Sequence, residues 1–128
     1  MSIMNGNPDN PYEGAYLVIN NQIFPIQKDV TRIGRKLDND LVIQDPLLSR
    51  HHAEIRLVED KFRLFDLDST GGTFLNNKKV GESVLYSGDI ILLANVPVMF
   101  VHDKKGASST SENETDKLAS RVDNQESL

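Results

Sequence analysis

The chain has 128 residues with no cysteine, 38% of them hydrophobic and 26% charged, and its formal net charge is −5. This length and hydrophobic fraction suit a single domain with tails and exclude a wholly disordered chain, while the absence of cysteine excludes disulfides and thiolate metal sites. The acidic balance argues against a nucleic-acid partner, and the lack of a signal peptide or an apolar run of ~18 residues predicts a cytoplasmic protein without membrane contact.

Two polar segments flank the part of the chain that is predicted to fold. Residues 1–13 are rich in Asn, Pro and Gly and have little to bury, so we expect a flexible N-terminal segment. Residues 103–128 are almost entirely polar, and they cannot offset an ordering cost of roughly 1–2 kcal/mol per residue, so we expect a disordered C-terminal tail. The predicted domain therefore spans residues 14–102.

Short runs of β-forming residues alternate with turn residues throughout this domain, and no 3.6-residue apolar period persists for two turns. The predicted strands are 15–20, 22–26, 31–35, 41–43, 52–58, 62–67, 73–75, 89–93 and 96–101. Ala53, Ile55 and Leu57 alternate with polar neighbours, which is typical of a half-buried strand. Lys78-Lys79 is assigned to a solvated turn. Many short strands with closely spaced turns predict an all-β sandwich or barrel.

A tight hairpin brings two polar loops to the same end of this predicted fold. The strand after Ser49-Arg50 turns and returns directly to residues 68–72, so the two segments are expected to be neighbours. Their guanidinium, hydroxyl and backbone N–H groups are the donors that a phosphate requires. The hairpin does not place Arg35, and a surface ion pair of Arg35 with Asp38 or Asp40 is an alternative.

The same loops contain residue types used in catalysis and metal binding. Ser49, His51 or His52, and Asp66 or Asp68 have the composition of a hydrolase triad, but Ser49 lacks the glycines of a nucleophile elbow. The two adjacent histidines point to opposite faces of a strand, which disfavours a shared metal ion. We therefore expect no enzyme activity, no catalytic residue, no metal and no cofactor.

Five motifs in this region resemble the forkhead-associated (FHA) domain family. They are TRIGR at 31–35, NDLVI at 39–43, LSRHHAEI at 48–55, DLDSTGGTFLN at 66–76 and SGDI at 87–90. The resemblance covers about residues 14–102. It implies an FHA-type sandwich of two antiparallel sheets with about eleven short strands, which binds phosphothreonine peptides through loops at one end. It also implies that Arg35 joins Ser49 and Thr70 there.

The resemblance implies a role for each residue of this site. The expected phosphopeptide-binding residues are Arg35, Ser49, Arg50, Thr70 and Gly71. Arg35 would hold the phosphate, the Ser49 hydroxyl and the Arg50 N–H would donate to it, and Thr70 would seat the phosphothreonine or the peptide backbone.

The resemblance also implies four supporting residues, which are Gly34, His52, Gly72 and Asn76. Gly34 would allow the close turn into Arg35, and His52 would tie the Ser49 loop to its neighbours, provided that the strand starts after it or bulges there. Asn76 would brace the loop after residue 70 without touching ligand.

Gly71 departs from the family pattern, in which an asparagine at this position grips the peptide backbone just beyond the phosphothreonine. Glycine cannot do this, and losing one or two neutral hydrogen bonds weakens binding by about 0.5–1.5 kcal/mol each. Asn39 and Asn77 are candidates to replace the missing amide.

The predicted function is a phosphothreonine-dependent adaptor in Ser/Thr kinase signalling, whose partners are phosphothreonine-containing substrates of such a kinase. The residue three beyond the phosphothreonine would be read by the loop at residues 45–48. Phosphorylated Thr115 would dock on the chain's own site or on a neighbour's. The alternative is a phosphate-independent interaction or assembly module with the same fold and a degraded ligand site.

Overall fold

The computed structural model describes residues 10–103, which form eleven strands and no helix. The strands, numbered β1 to β11 in chain order, are Ala15–Ile19, Gln22–Pro25, Val30–Gly34, Leu41–Val42, Ala53–Val58, Lys61–Asp66, Thr73–Leu75, Lys78–Lys79, Glu82–Val84, Ile90–Leu93 and Val96–His102. No helix in this stretch is long and apolar enough to cross a membrane. The hypothesis about Thr115 concerns a residue outside the described range.

The strands form two sheets that face each other across one apolar core. The six-stranded sheet has the order β2-β1-β11-β10-β7-β8, and the five-stranded sheet has the order β4-β3-β5-β6-β9. All pairs are antiparallel except β3 and β4. Both sheets contribute buried side chains to the core, including Leu17, Ile33, Ile55, Leu64, Ile91 and Phe100. The predicted antiparallel sandwich of about eleven strands is therefore confirmed.

Two short strands were not recognised from the sequence. The assignment of Lys78-Lys79 to a solvated turn is wrong, because these residues form β8 and pair with Phe74 and Leu75 of β7. Glu82–Val84 forms β9 and pairs with β6. Strands of two or three residues owe their conformation to hydrogen bonds with a neighbouring strand, so exposed lysines adopt it without any apolar pattern.

The register of the strands collects four loops at one end of the sandwich. Ile33 at the end of β3 pairs with Ala53 at the start of β5, and Ala53 pairs with Asp66 at the end of β6. In the other sheet, Thr73 at the start of β7 pairs with Leu93 at the end of β10. The predicted hairpin between β5 and β6 is present, and the loops after β3, β4, β6 and β10 meet at this end.

Candidate functional site

His52 links the two loops that the hairpin brings together. Its side chain is completely buried, and its Nδ1 accepts a hydrogen bond from the backbone N–H of Ser49 at 3.1 Å. The proton is therefore on Nε2, which donates to the carbonyl oxygen of Gly72 at 2.9 Å. Because β5 begins at Ala53, His52 precedes the strand and is not bound by its alternation. With both ring nitrogens engaged, His52 is available neither as a catalytic base nor as a metal ligand.

Ser49 and Thr70 are in direct contact at the rim of the sandwich. The backbone N–H of Thr70 donates to the Ser49 Oγ at 3.0 Å, across 21 positions of sequence. This bond uses a lone pair of the hydroxyl and leaves its proton available to a ligand. Within residues 10–103, neither the Arg50 N–H nor the Thr70 hydroxyl has a hydrogen-bond partner. Three donors of these two loops thus have no partner among the described residues.

Arg35 is anchored at this rim by two hydrogen bonds. Its backbone N–H donates to the Ser49 carbonyl at 3.1 Å, and its Nε donates to the Leu48 carbonyl at 3.0 Å. The residue is exposed, and the two terminal guanidinium nitrogens make no hydrogen bond to the part of the chain that the structure describes. The side chain is therefore fixed at its Nε, while the planar pair of terminal donors stays open to an anion.

The alternative ion pairs of Arg35 with Asp38 or Asp40 are absent from the described structure. Asp38 instead pairs with His51, whose Nε2 lies 2.9 Å from the Asp38 Oδ1. That hydrogen bond holds the pKa of Asp38 below its ordinary value. Asp40 pairs with Lys28 at 2.7 Å. Asp38 and Asp40 thus have other partners, so the interpretation of Arg35 as a surface ion pair with either of them is wrong.

Gly34 lets two backbone segments approach closely beneath the site. A Cβ at this position would lie 2.1 Å from the Arg50 carbonyl oxygen and 2.8 Å from the Asn39 Nδ2. The Asn39 amide donates to the same carbonyl at 2.8 Å and to the Lys36 carbonyl at 2.7 Å, and it is buried. Asn39 therefore cannot replace the amide missing at Gly71, and glycine at position 34 is required by space.

Asp66 organises the loop after β6, a role that sequence reasoning missed. Its carboxylate accepts hydrogen bonds from the Ser69 hydroxyl, from the Ser69 N–H at 3.1 Å and from the Thr73 hydroxyl at 2.6 Å. The Ser69 Oγ in turn accepts from the Gly72 N–H at 3.0 Å, and Gly72 has a φ of 87°, which favours glycine. An aspartate three residues before a serine is the sequence signal of these side-chain hydrogen bonds.

We expect Asp66→Asn to destabilise the fold by about 1.5–3 kcal/mol, because an amide cannot accept all three bonds that the carboxylate accepts. Burial raises the pKa of Asp66, but the bonds from Ser69 and Thr73 outweigh it and the pKa is lowered. The carboxylate therefore stabilises the fold above pH ~4 and loses this effect as the pH falls through the folded pKa.

Denaturant unfolding at pH 7 and at pH 3 measures this effect. The matched control is Asp68→Asn at the neighbouring exposed position, which has a φ of 58° that asparagine tolerates. The control should stay within about 0.5 kcal/mol of the parent. Equal unfolding midpoints for the two variants at pH 7 would contradict the role of Asp66.

Asn76 and Asn77 lie at the end of β7 away from Gly72. The Asn76 Nδ2 donates to Asp89 at 3.0 Å, and its Oδ1 accepts from the Ile90 N–H at 2.9 Å. These bonds join the β7–β8 turn to the start of β10, so the implied bracing of the loop after residue 70 by Asn76 is wrong. Asn77 lies in the same turn, at the opposite end of β7 from Gly71, so it cannot replace the amide missing there.

A cavity of about 520 Å³ opens beside these donors. It is lined by Gly71, by the polar residues Arg35, Ser49, Thr70 and Asn95, and by apolar residues that include Leu47, Leu48, Phe74 and Ala94. Leu47 is 54% exposed, while Leu48 is buried. A second groove of about 500 Å³ between β2 and β4 is lined by no Lys or Arg. The cavity beside Arg35 is therefore the one suited to an anion with an attached apolar chain.

The chain belongs to the FHA family, whose family model, described as FHA domain, matches residues 31–94. It is 33% identical over 82 residues to the glycogen accumulation regulator GarA of Mycobacterium tuberculosis, a match that covers 64% of this chain and 51% of GarA. The chain thus spans about half the length of this curated relative.

Solved structures show the same fold. Mycobacterium tuberculosis EmbR, in complex with a low-affinity phosphopeptide, superposes with a TM-score of 0.67 and 32% identity over 69% of this chain and 24% of EmbR. A domain from a study of phosphothreonine-dependent FHA domain interactions superposes with a TM-score of 0.65 and 31% identity over 68% of this chain and 94% of its own.

Proposed function

We propose that this chain is a phosphothreonine-binding module that recruits proteins marked by a Ser/Thr kinase. The observation that carries the proposal is that Arg35 and Ser49 line one cavity, next to the Arg50 N–H in the sequence, and that all three groups have unused donor capacity within the described residues. A phosphothreonine has a charge of about −1.5 to −2 at pH 7 and three strong acceptor oxygens. The phosphopeptide bound to the related EmbR supports the same class of ligand here.

The proposed binding geometry follows from which donors are already engaged. Because the Arg35 Nε is bonded to Leu48, its two terminal nitrogens would form the bidentate contact to the phosphate. The Ser49 hydroxyl, oriented by the Thr70 N–H, would donate its proton to a second phosphate oxygen. The Arg50 N–H would bond a third, and Thr70 would border the phosphothreonine.

The module is proposed to bind without catalysis. His52, the histidine nearest to Ser49, has both ring nitrogens engaged, and His51 is paired with Asp38. Within residues 10–103, neither histidine side chain is hydrogen-bonded to the Ser49 hydroxyl, which argues against the triad alternative. We keep the expectation that residues 45–48 read the residue three beyond the phosphothreonine, and Leu47 would favour an apolar one. The cytoplasmic location stays a prediction.

The experiment is a pull-down with a degenerate phosphothreonine peptide library, followed by NMR titration of the best peptide in phosphorylated and unphosphorylated forms. We expect at least about 100-fold weaker binding without the phosphate, because two or more charge-assisted hydrogen bonds are lost. Shifts should cluster at residues 35, 49–50 and 70–71. Equal binding of both forms would favour the phosphate-independent module that Gly71 suggests.

A further inference from the structure

Gly71 is packed against the turn between β10 and β11. A Cβ at position 71 would lie 2.7 Å from the Ala94 Cβ and 3.3 Å from the Leu47 carbonyl oxygen. No side chain fits there unless the turn moves, although Gly71 itself has no left-handed φ. The space in which an asparagine side chain would begin is therefore filled by Ala94.

Ala94 has a backbone conformation that is uncommon for alanine. Its φ is 56°, in the left-handed region that alanine rarely adopts, and it occupies the first position of a two-residue turn between the paired Leu93 and Val96. The Ala94 N–H donates to the Gly72 carbonyl at 2.9 Å, and the residue is buried. These contacts fix the turn against the loop that contains Thr70 and Gly71.

Asn95, the second residue of the turn, is exposed on the same cavity as Arg35, Thr70 and Gly71. The Ala94 Cα lies 3.4 Å from the Cβ position of residue 71, so the Asn95 Cα lies within about 7 Å of it. The Asn95 amide forms no hydrogen bond to any residue from 10 to 103. It is thus an unengaged side-chain amide beside the position where glycine replaces one.

We propose that Asn95 binds the backbone of the peptide next to the phosphothreonine and so supplies, from the β10–β11 turn, the amide that Gly71 lacks. The Nδ2 would donate to a peptide carbonyl and the Oδ1 would accept from a peptide N–H, which recognises the chain without regard to its sequence. This inference rests on the proposed function, since it assigns a contact to the same ligand.

The test compares Asn95→Ala with the parent for two probes, which are a phosphothreonine peptide and the free amino acid phosphothreonine. We expect the peptide to bind about 3- to 30-fold more weakly, the loss for one to two neutral hydrogen bonds. Free phosphothreonine should bind the variant and the parent equally, because it has no following peptide bond. Gln27→Ala, which removes an exposed amide from a groove that Asn95 does not line, should leave both affinities unchanged.

A rescue variant separates a missing amide from an indirect effect. Ala94→Gly removes the Cβ that blocks position 71, and glycine suits the left-handed φ of residue 94. A triple variant that combines Ala94→Gly and Gly71→Asn with Asn95→Ala should therefore recover the peptide affinity. Two results would overturn this inference alone. In the first, the triple variant does not recover the peptide affinity. In the second, Asn95→Ala binds the peptide as well as the parent does, while Arg35→Ala does not bind it. A parent chain that binds no phosphothreonine peptide would overturn the proposed function as well.

Discussion

Replacing Arg35 by alanine is expected to lower the affinity for a phosphothreonine peptide by at least about 100-fold, with little change in stability. The two terminal nitrogens that would face the phosphate are lost, and hydrogen bonds to charged groups contribute about 1.5–3 kcal/mol each. Within the described residues, the side chain forms one hydrogen bond, from its Nε to the backbone carbonyl of Leu48. Isothermal titration with the phosphorylated peptide, together with thermal unfolding, measures both quantities.

Two further variants sharpen this result. Arg35→Lys keeps the charge but removes the planar fork, so we expect an intermediate loss of about 10-fold. Arg63→Ala removes the same charge from β6, where Arg63 pairs with Glu82 at 3.0 Å, and should change the affinity less than about twofold. If Arg35→Ala binds the phosphopeptide as well as Arg63→Ala does, then Arg35 does not hold the phosphate.

Gly34→Ala is expected to destabilise the fold by about 2–4 kcal/mol and to weaken phosphopeptide binding in the fraction that stays folded. A Cβ at 2.1 Å from the Arg50 carbonyl oxygen forces two backbone segments apart, and backbone yields less readily than a flexible side chain. The displaced peptide unit adjoins the Arg50 N–H that would bond the phosphate. Denaturant unfolding gives the stability, and titration below the unfolding transition gives the affinity.

Gly81→Ala is the matched control, because no atom lies within 4 Å of a Cβ built at that position and its φ is not left-handed. The control should be neutral or more stable by up to about 1 kcal/mol, since alanine restricts the unfolded chain. Equal stabilities of the two glycine variants would show that the segments beneath the site separate freely.

The motif residues and the hairpin were sufficient to predict the fold class and the meeting of Ser49 with Thr70. Both predictions depend on residues that are close together in the sequence, because the register of a hairpin follows from the alternation of its strands and from the short turn between them. Arg35 was different: the residues alone left an ion pair with Asp38 or Asp40 open, and the family resemblance placed it at the rim. In the structure those ion pairs do not form, because Asp38 is bonded to His51 and Asp40 to Lys28.

Contacts between distant loops were beyond prediction. Asp66 was considered only for catalysis or metal binding, Asn76 was assigned to the wrong loop, and Asn95 was not singled out. The role of each of these side chains, which for Asn95 is a proposed one, depends on which segment of the chain packs against it. The spacing of residues along the sequence does not determine which segments pack together. Local sequence patterns therefore determine the strands, the turns and the residue types at the rim. The packing of the two sheets decides which polar groups are hydrogen-bonded within the fold and which remain available to a ligand.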